Sequence, residues 1–138
     1  MRKMCLDYGD VRIGIALSDM LGIIASGLET YIRKDEETDI AHILKLIQDN
    51  SVDTVVIGLP INMDGSRGPR AARAEEFAEM LKERLPEIPI AHFDERMSTM
   101  AAARYLNETN TRGKKRKGVI DTLSAQIILQ NAIDRLKN

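Results

Sequence analysis

The run Thr54-Val55-Val56-Ile57-Gly58 is apolar and β-branched with no polar alternation. A strand wetted on one face alternates, whereas one covered on both faces does not, so this run belongs inside a sheet with layers above and below it. The chain supplies such layers on either side of the run. Ile40, Ile43, Leu44 and Ile47 recur at i, i+3, i+4 and i+7 behind Asp35, Glu36, Glu37 and Asp39, a helix stripe with acidic residues at its N-terminus. Arg70 to Leu85 repeats the pattern with Ala74, Phe77, Ala78 and Leu81 inside and Glu75, Glu76, Glu79 and Glu83 outside, and Pro86 and Pro89 end it.

Other segments complete the sheet. Lys3 to Asp7 and Val11 to Ser18 are apolar-rich runs parted by Tyr8-Gly9-Asp10, which reads as a hairpin turning at Gly9, and Leu28 to Ile32 extends the meander. Ile90 to Phe93 reads as another buried strand, Ser98 or Thr99 as the cap of a helix through Tyr105, and Val119 to Leu136 as a last long helix. Three strands followed by alternating helices and strands predict an α/β fold, a mixed five-stranded sheet with helices on both faces. At 138 residues, with no internal repeat and no Pro/Gly/Ser linker, residues 1–138 are expected to form a single domain. A lone Cys5 excludes an intrachain disulfide and suits a reducing cytosol. The start, MRKMCLDYGDVRIG, reaches Asp7 too soon for a signal peptide, and no apolar run is long enough to span a bilayer, so a cytoplasmic protein with no membrane partner is expected.

The formal net charge of −1 argues at first against a nucleic-acid binder. It averages two unlike parts. Residues 1–99 carry 12 basic and 18 acidic side chains, and residues 100–138 carry 8 basic and 3 acidic ones. Most of that surplus lies in Arg112, Lys114, Lys115, Arg116 and Lys117, which taken alone read as a solvated loop.

Three acids stand at unusual places. Asp7 closes an apolar strand, Glu95 follows another strand in Phe93-Asp94-Glu95-Arg96, and Asp121 opens an apolar helix in Val119-Ile120-Asp121-Thr122-Leu123. Each alone has a structural explanation: a turn acceptor, a surface pair with Arg96, a helix N-terminal charge. In a sheet of this order the ends of the first, fourth and fifth strands open on one edge, with the last helix across it. Carboxylates gathered there repel unless cations lie between them, and oxygen ligands without His or Cys suit Mg²⁺ or Mn²⁺, which polarise phosphate oxygens and activate water. His42 and His92 have no zinc spacing, and Cys5 packs in the first strand.

The motifs Asp7-Tyr8-Gly9-Asp10-Val11-Arg12-Ile13-Gly14, Gly58-Leu59-Pro60-Ile61-Asn62-Met63-Asp64-Gly65, Asp94-Glu95-Arg96-Met97-Ser98-Thr99 and Lys115-Arg116-Lys117 before Val119-Ile120-Asp121 resemble, in order and over almost the whole chain, the YqgF/RuvX family. The resemblance implies a ribonuclease-H-like fold and a metal-dependent nuclease that processes the 5′ end of pre-16S rRNA in ribosome biogenesis, with Asp7, Glu95 and Asp121 as catalytic, metal-binding acids. Action on DNA junctions is the older assignment. Ser98 where Thr is common, and Cys5 where Gly is frequent, are mild departures.

Other motif residues acquire expected roles toward a nucleic-acid backbone: Arg12, Asn62 and Arg67 in its loop, Arg96 beside Glu95, and a phosphate-binding loop of Lys114, Lys115, Arg116 and Lys117. Structured RNA, or branched DNA, is the expected partner, with the protein a monomer or homodimer. Two other readings compete. Asp7-Tyr8-Gly9 before a hairpin also resembles the phosphate loop of actin-like ATPases, although that fold needs two such domains. A non-catalytic RNA-binding assembly factor would need stacking platforms, and with 4% aromatic residues and no Trp the chain offers only Tyr8 and Tyr105.

Overall fold

The computed structural model describes residues 2–60, 64–66, 68–94 and 113–136, the side chains of 113–122 and 135–136 aside. Among them the order is β1 (Arg2–Tyr8), β2 (Arg12–Ser18), β3 (Ala25–Ile32), α1 (Glu36–Asp49), β4 (Val52–Leu59), α2 (Pro69–Arg84), β5 (Ile90–Asp94) and α3 (Gly113–Leu136). The strands form one mixed sheet in the order β3-β2-β1-β4-β5. β1 and β2 pair antiparallel, as do β2 and β3, while β4 runs parallel to both β1 and β5. The expected helix from Ser98 or Thr99 through Tyr105 lies outside the described residues.

The two-sided burial of the central run has a clear origin. Met4, Leu6, Tyr8, Ile13, Ile15, Val55, Ile57 and Leu59 face α1 and α2, which answer with Ile40, Ile43 and Ile47 and with Ala74, Phe77, Ala78 and Leu81. Alternation sends Cys5, Ala16, Ala25 and Val56 to the other face, where Ala125, Ile128, Leu129 and Ile133 of α3 cover them. α1 starts where Asp35 accepts from the N–H and the hydroxyl of Thr38, at 2.8 and 2.9 Å, and these bonds hold the Asp35 carboxyl below the usual carboxylate range. α2 starts at Pro69, whose missing N–H costs nothing at a first helical position.

Three expectations need correcting. β3 begins at Ala25 rather than Leu28. β5 is an edge strand with Ala91 and His92 exposed, because nothing among the described residues pairs with its far side. The last helix begins at Gly113, not Val119, so Lys114, Lys115, Arg116 and Lys117 belong to its first turns and are not a loop. Lys and Arg are good helix formers, and without an apolar stripe such a run gives no periodic signal to mark it as helix.

Among the described residues, Gln130 adds a polar anchor to the lengthwise position of α3. The Gln130 side-chain oxygen accepts from the N–H of Ala25 at 2.9 Å, and its side-chain nitrogen donates to the carbonyl of Ile23 at 3.0 Å. Replacing Gln130→Leu leaves both backbone groups without that partner and is expected to lower stability by about 1–2 kcal/mol, read from urea denaturation.

Candidate active site

β1, β4 and β5 are parallel, so their C-terminal ends open on the same edge. The register there runs Gly14 on β2, Asp7 on β1, Gly58 on β4 and Phe93 on β5. Asp7 lies two residues beyond Cys5 and so shares the face that α3 covers; Cys5 is fully buried, and Asp7 is half-buried. Opposed residues on neighbouring strands bring their Cβ atoms to about 5 Å, so glycine on both sides leaves no side chain to crowd the Asp7 carboxylate laterally. Arg12 lies two residues before Gly14 on β2, hence on the same sheet face, and is half-buried.

The turn that joins Asp7 to Arg12 is held by polar contacts. The Gly9 N–H donates to the Arg12 carbonyl at 2.9 Å, and a Cβ on Gly9 would meet that oxygen at 2.8 Å, which only glycine avoids without a shift. Arg33, just after β3, reaches back over the turn. Its Nη1 donates to the carbonyls of Gly9 and Asp10 at 3.2 and 3.3 Å, and its guanidinium carbon lies 4.5 Å from the Tyr8 ring centroid. Nε of Arg33 pairs with Asp39 at 3.2 Å, and the same fully buried carboxylate accepts the Lys34 N–H at 2.9 Å. Tyr8 packs on Phe77 with ring centroids 4.7 Å apart; burial pushes its phenol pKa up although Arg33 pulls the other way. From the α2 side, Arg73 Nη2 meets Asp10 Oδ1 at 2.9 Å, and Arg70 Nε lies 3.9 Å from Asp10 Oδ2.

Of the residues expected to form the site, Asp7 and Arg12 are described to their side chains and share one face. Asp121 and Lys114 to Lys117 are placed by the α3 backbone alone, while Glu95, Arg96, Asn62 and Arg67 lie outside the described residues. Asp121 stands eight positions into α3, beyond reach of the helix N-terminus, so a terminal-charge role does not explain it. In the loop before α2, Asp64 Oδ1 accepts from the N–H and the hydroxyl of Ser66 at 2.9 and 2.6 Å around Gly65 at φ 89°, a turn that accounts for the Asp-Gly pair. His42 pairs with Glu29 at 2.6 Å, and His92 is exposed. No metal-holding group of three acidic, His or Cys side chains occurs among the described residues. Arg33, Arg70 and Arg73 are not marked by the sequence, because an arginine in a loop or on an exposed helix face carries no signal until the fold brings it to the turn. A cleft of about 450 Å³ opens at the opposite end of the sheet, lined by Arg2, Ser18, Asp19 and Asn50 among others, away from these residues.

The fold is that of Thermus thermophilus RuvC in complex with a Holliday junction substrate, with a TM-score of 0.61 over 100% of this chain and 96% of that one at 14% identity. It is also that of the fowlpox virus resolvase in complex with Holliday junction DNA, with a TM-score of 0.59 over 100% of both chains at 8% identity. These likenesses define the class: a ribonuclease-H-like sheet of the kind found in RuvC-like resolvases. Residues 1–135 match the family model described as "RuvX: Holliday junction resolvase". A relative from Halothermothrix orenii is 48% identical, covering 97% of this chain and 95% of its own; one from Halalkalibacterium halodurans is 49% identical, covering 98% and 97%. Both carry the name "Putative pre-16S rRNA nuclease". The chain belongs to the RuvX family, and with it to the nucleases, enzymes that hydrolyse phosphodiester bonds. No helix among the described residues is long and apolar enough to cross a membrane.

The turn generates a prediction. Gly9→Ala forces the backbone to move between Asp7 and Arg12, and is expected to cost about 1–3 kcal/mol in thermal or urea unfolding. Nuclease activity, measured where the variant is still folded, should fall more than the folded fraction does.

Proposed function

We propose that this protein is a divalent-metal-dependent nuclease that processes the 5′ end of pre-16S rRNA in the cytoplasm, using Asp7, Glu95 and Asp121. The observation that carries the reading is the place of Asp7: half-buried, between Gly14 and Gly58, on the edge where three parallel strands end. Glu95 follows β5 directly in sequence, and Phe93 of that strand stands in register with Gly58. Support for Asp121 comes from Gln130, whose bond to Ala25 sets Gln130 level with the Lys3 end of β1, since Ala25 pairs with Ser18 and the Ser18 hydroxyl accepts the Lys3 N–H. Nine residues back along α3 is about 13 Å at about 1.5 Å per residue. Lys3 to Asp7 is about 13 Å at about 3.3 Å per residue. Residue 121 also precedes Ala125, which faces the sheet, by about one helical turn.

The donor chemistry fits Mg²⁺ or Mn²⁺: carboxylate oxygens, glycine neighbours that leave lateral space, and no soft ligand exposed on the Asp7 face among the described residues. Such a cation, when bound, polarises the phosphate and supplies an activated water. The chain's own residues do the rest. The Gly9 turn and Arg33 fix the Asp7 backbone, and Arg12 stands on the same face to neutralise a phosphate oxygen. Asn62, Arg67 and Arg96 follow the strands that end on this edge and serve the nucleic-acid backbone. Lys114, Lys115, Arg116 and Lys117 occupy the positive end of the α3 dipole, where cations repel one another and an anion is favoured. The relatives' name, at 48–49% identity, favours precursor ribosomal RNA over junction DNA as substrate.

Cleavage of precursor 16S rRNA and of a four-way DNA junction, each with Mg²⁺, Mn²⁺ or EDTA, tests the reading. Wild-type protein should cut the RNA with either metal and fall to background in EDTA, and Asp7→Asn should stay at background throughout while remaining folded. Cutting by Asp7→Asn in EDTA would sink the metal-acid assignment. Neutralising Lys115 and Lys117 should weaken RNA binding and reduce its dependence on salt by about 0.7 per lost phosphate contact on a logarithmic plot.

A further inference from the structure

The Gly9-Asp10 turn is approached by arginines from two further elements, and their charges are used unequally. Arg33 is 16% exposed and is committed to buried Asp39 and to the carbonyls of the turn. Arg70 and Arg73, in the first two turns of α2, are 59% and 48% exposed, and the ion partner seen for both is Asp10, itself 52% exposed. Two guanidiniums therefore share one carboxylate. The Arg70 contact, at 3.9 Å, is too long for a hydrogen bond, and Arg73 forms the closer ion pair at 2.9 Å. Each guanidinium carries five N–H donors, so most of this donor capacity faces solvent at the β1–β2 turn, on the α2 side of the sheet, around the edge from the face that carries Asp7.

An arrangement of this kind contributes little to the fold. Exposed ion pairs are worth at most about 1 kcal/mol. α2 gains nothing from cations near its N-terminus, where the macrodipole disfavours them. What two cations, one at each oxygen of a carboxylate, do provide is a template for a phosphodiester, whose two free oxygens match a guanidinium as a carboxylate does.

We propose that Arg70 and Arg73 form a phosphate-binding track that holds the nucleic-acid backbone beyond the cleavage site, with Asp10 occupying the phosphate position in the free protein. This rests on the nuclease reading and adds to it the direction in which the strand runs: past the β1–β2 turn and over the start of α2. Asp10 acts as an internal competitor for the two side chains. The track predicts opposite signs for two changes that a plain surface salt bridge would make alike. Removing the arginines weakens substrate binding, whereas removing the carboxylate strengthens it.

The experiment measures binding of a fluorescein-labelled RNA hairpin with a single-stranded tail, by anisotropy in EDTA across a salt series, for wild type, Arg70→Gln/Arg73→Gln and Asp10→Asn. Thermal melting checks that each is folded. The double variant should bind roughly tenfold more weakly per lost contact, with a salt slope lower by about 0.7 for each. Asp10→Asn should bind severalfold more tightly. In cleavage assays with metal, the double variant should raise KM and keep kcat within about twofold, since the track lies off the scissile bond. Affinity and salt slope unchanged in the double variant would overturn the track, and so would weaker binding by Asp10→Asn. Those results with active wild-type enzyme leave the nuclease reading standing, whereas wild-type protein that neither binds nor cuts RNA or junction DNA overturns both.

Discussion

The seating of α3 on a floor of small side chains is the contact on which the rest depends. Cys5, Ala16, Ala25 and Val56 offer little relief, so the stripe Ala125, Ile128, Leu129 and Ile133 can lie close over three neighbouring strands and β3. The floor continues past the apolar stripe as Gly14, Asp7 and Gly58, where a bulkier neighbour would fill the space beside the carboxylate. α1 and α2 take up the large side chains, Phe77 and the isoleucines, on the opposite face. The sheet is thereby asymmetric: one side supplies cohesion, and the other supplies a thin layer that ends in an acid.

On the proposed reading the end of β1 stays open to substrate, and such a strand end cannot be anchored by burying it. The β1–β2 turn is anchored instead by Arg33, which reaches its carbonyls while tethered to Asp39. A buried ion pair is poor evidence of net stability, because desolvation consumes much of the attraction, but it fixes geometry when the remaining lone pairs are satisfied. Asp39 meets that condition through the Lys34 N–H. The cation over Tyr8, and Tyr8 on Phe77, connect this polar anchor to the apolar layer beneath it.

Much of this order is legible from the residues alone, for physical reasons that differ by element. α1 and α2 declare themselves because a helix covering a sheet must repeat every 3.6 residues, as Ile40, Ile43 and Ile47 and then Ala74, Phe77, Ala78 and Leu81 do. β4 is legible because burial on both faces removes polar alternation. β5 misleads for the converse reason: Ile90-Ala91-His92-Phe93 has the composition of a covered strand, but its place at the sheet edge decides its burial. Asp7 stands out as an acid closing an apolar strand, whereas Arg33, Arg70 and Arg73 are invisible until the β2–β3 hairpin and the β4–α2 connection bring distant segments to one turn.

α3 breaks two rules of its own element, and both breaks point the same way. Gly113 to Lys117 puts four cations at the helix end where the dipole already carries positive charge, and Asp121 stands a further turn along, too deep to offset them as an N-terminal acid. A helix selected for stability alone would place acids at its start and an apolar residue one turn before Ala125. Local conflicts of this kind concentrate where function is served, because only a bound partner relieves them. On the proposed reading two partners that bind together relieve them, since a phosphodiester brings the negative charge that the cations need, and a divalent cation brings the positive charge that Asp121 needs. On that proposed reading a chain with a net charge of −1 can still belong to a nuclease family, because part of its acid lies on helix surfaces and part would hold metal, while the bases would gather where the backbone passes.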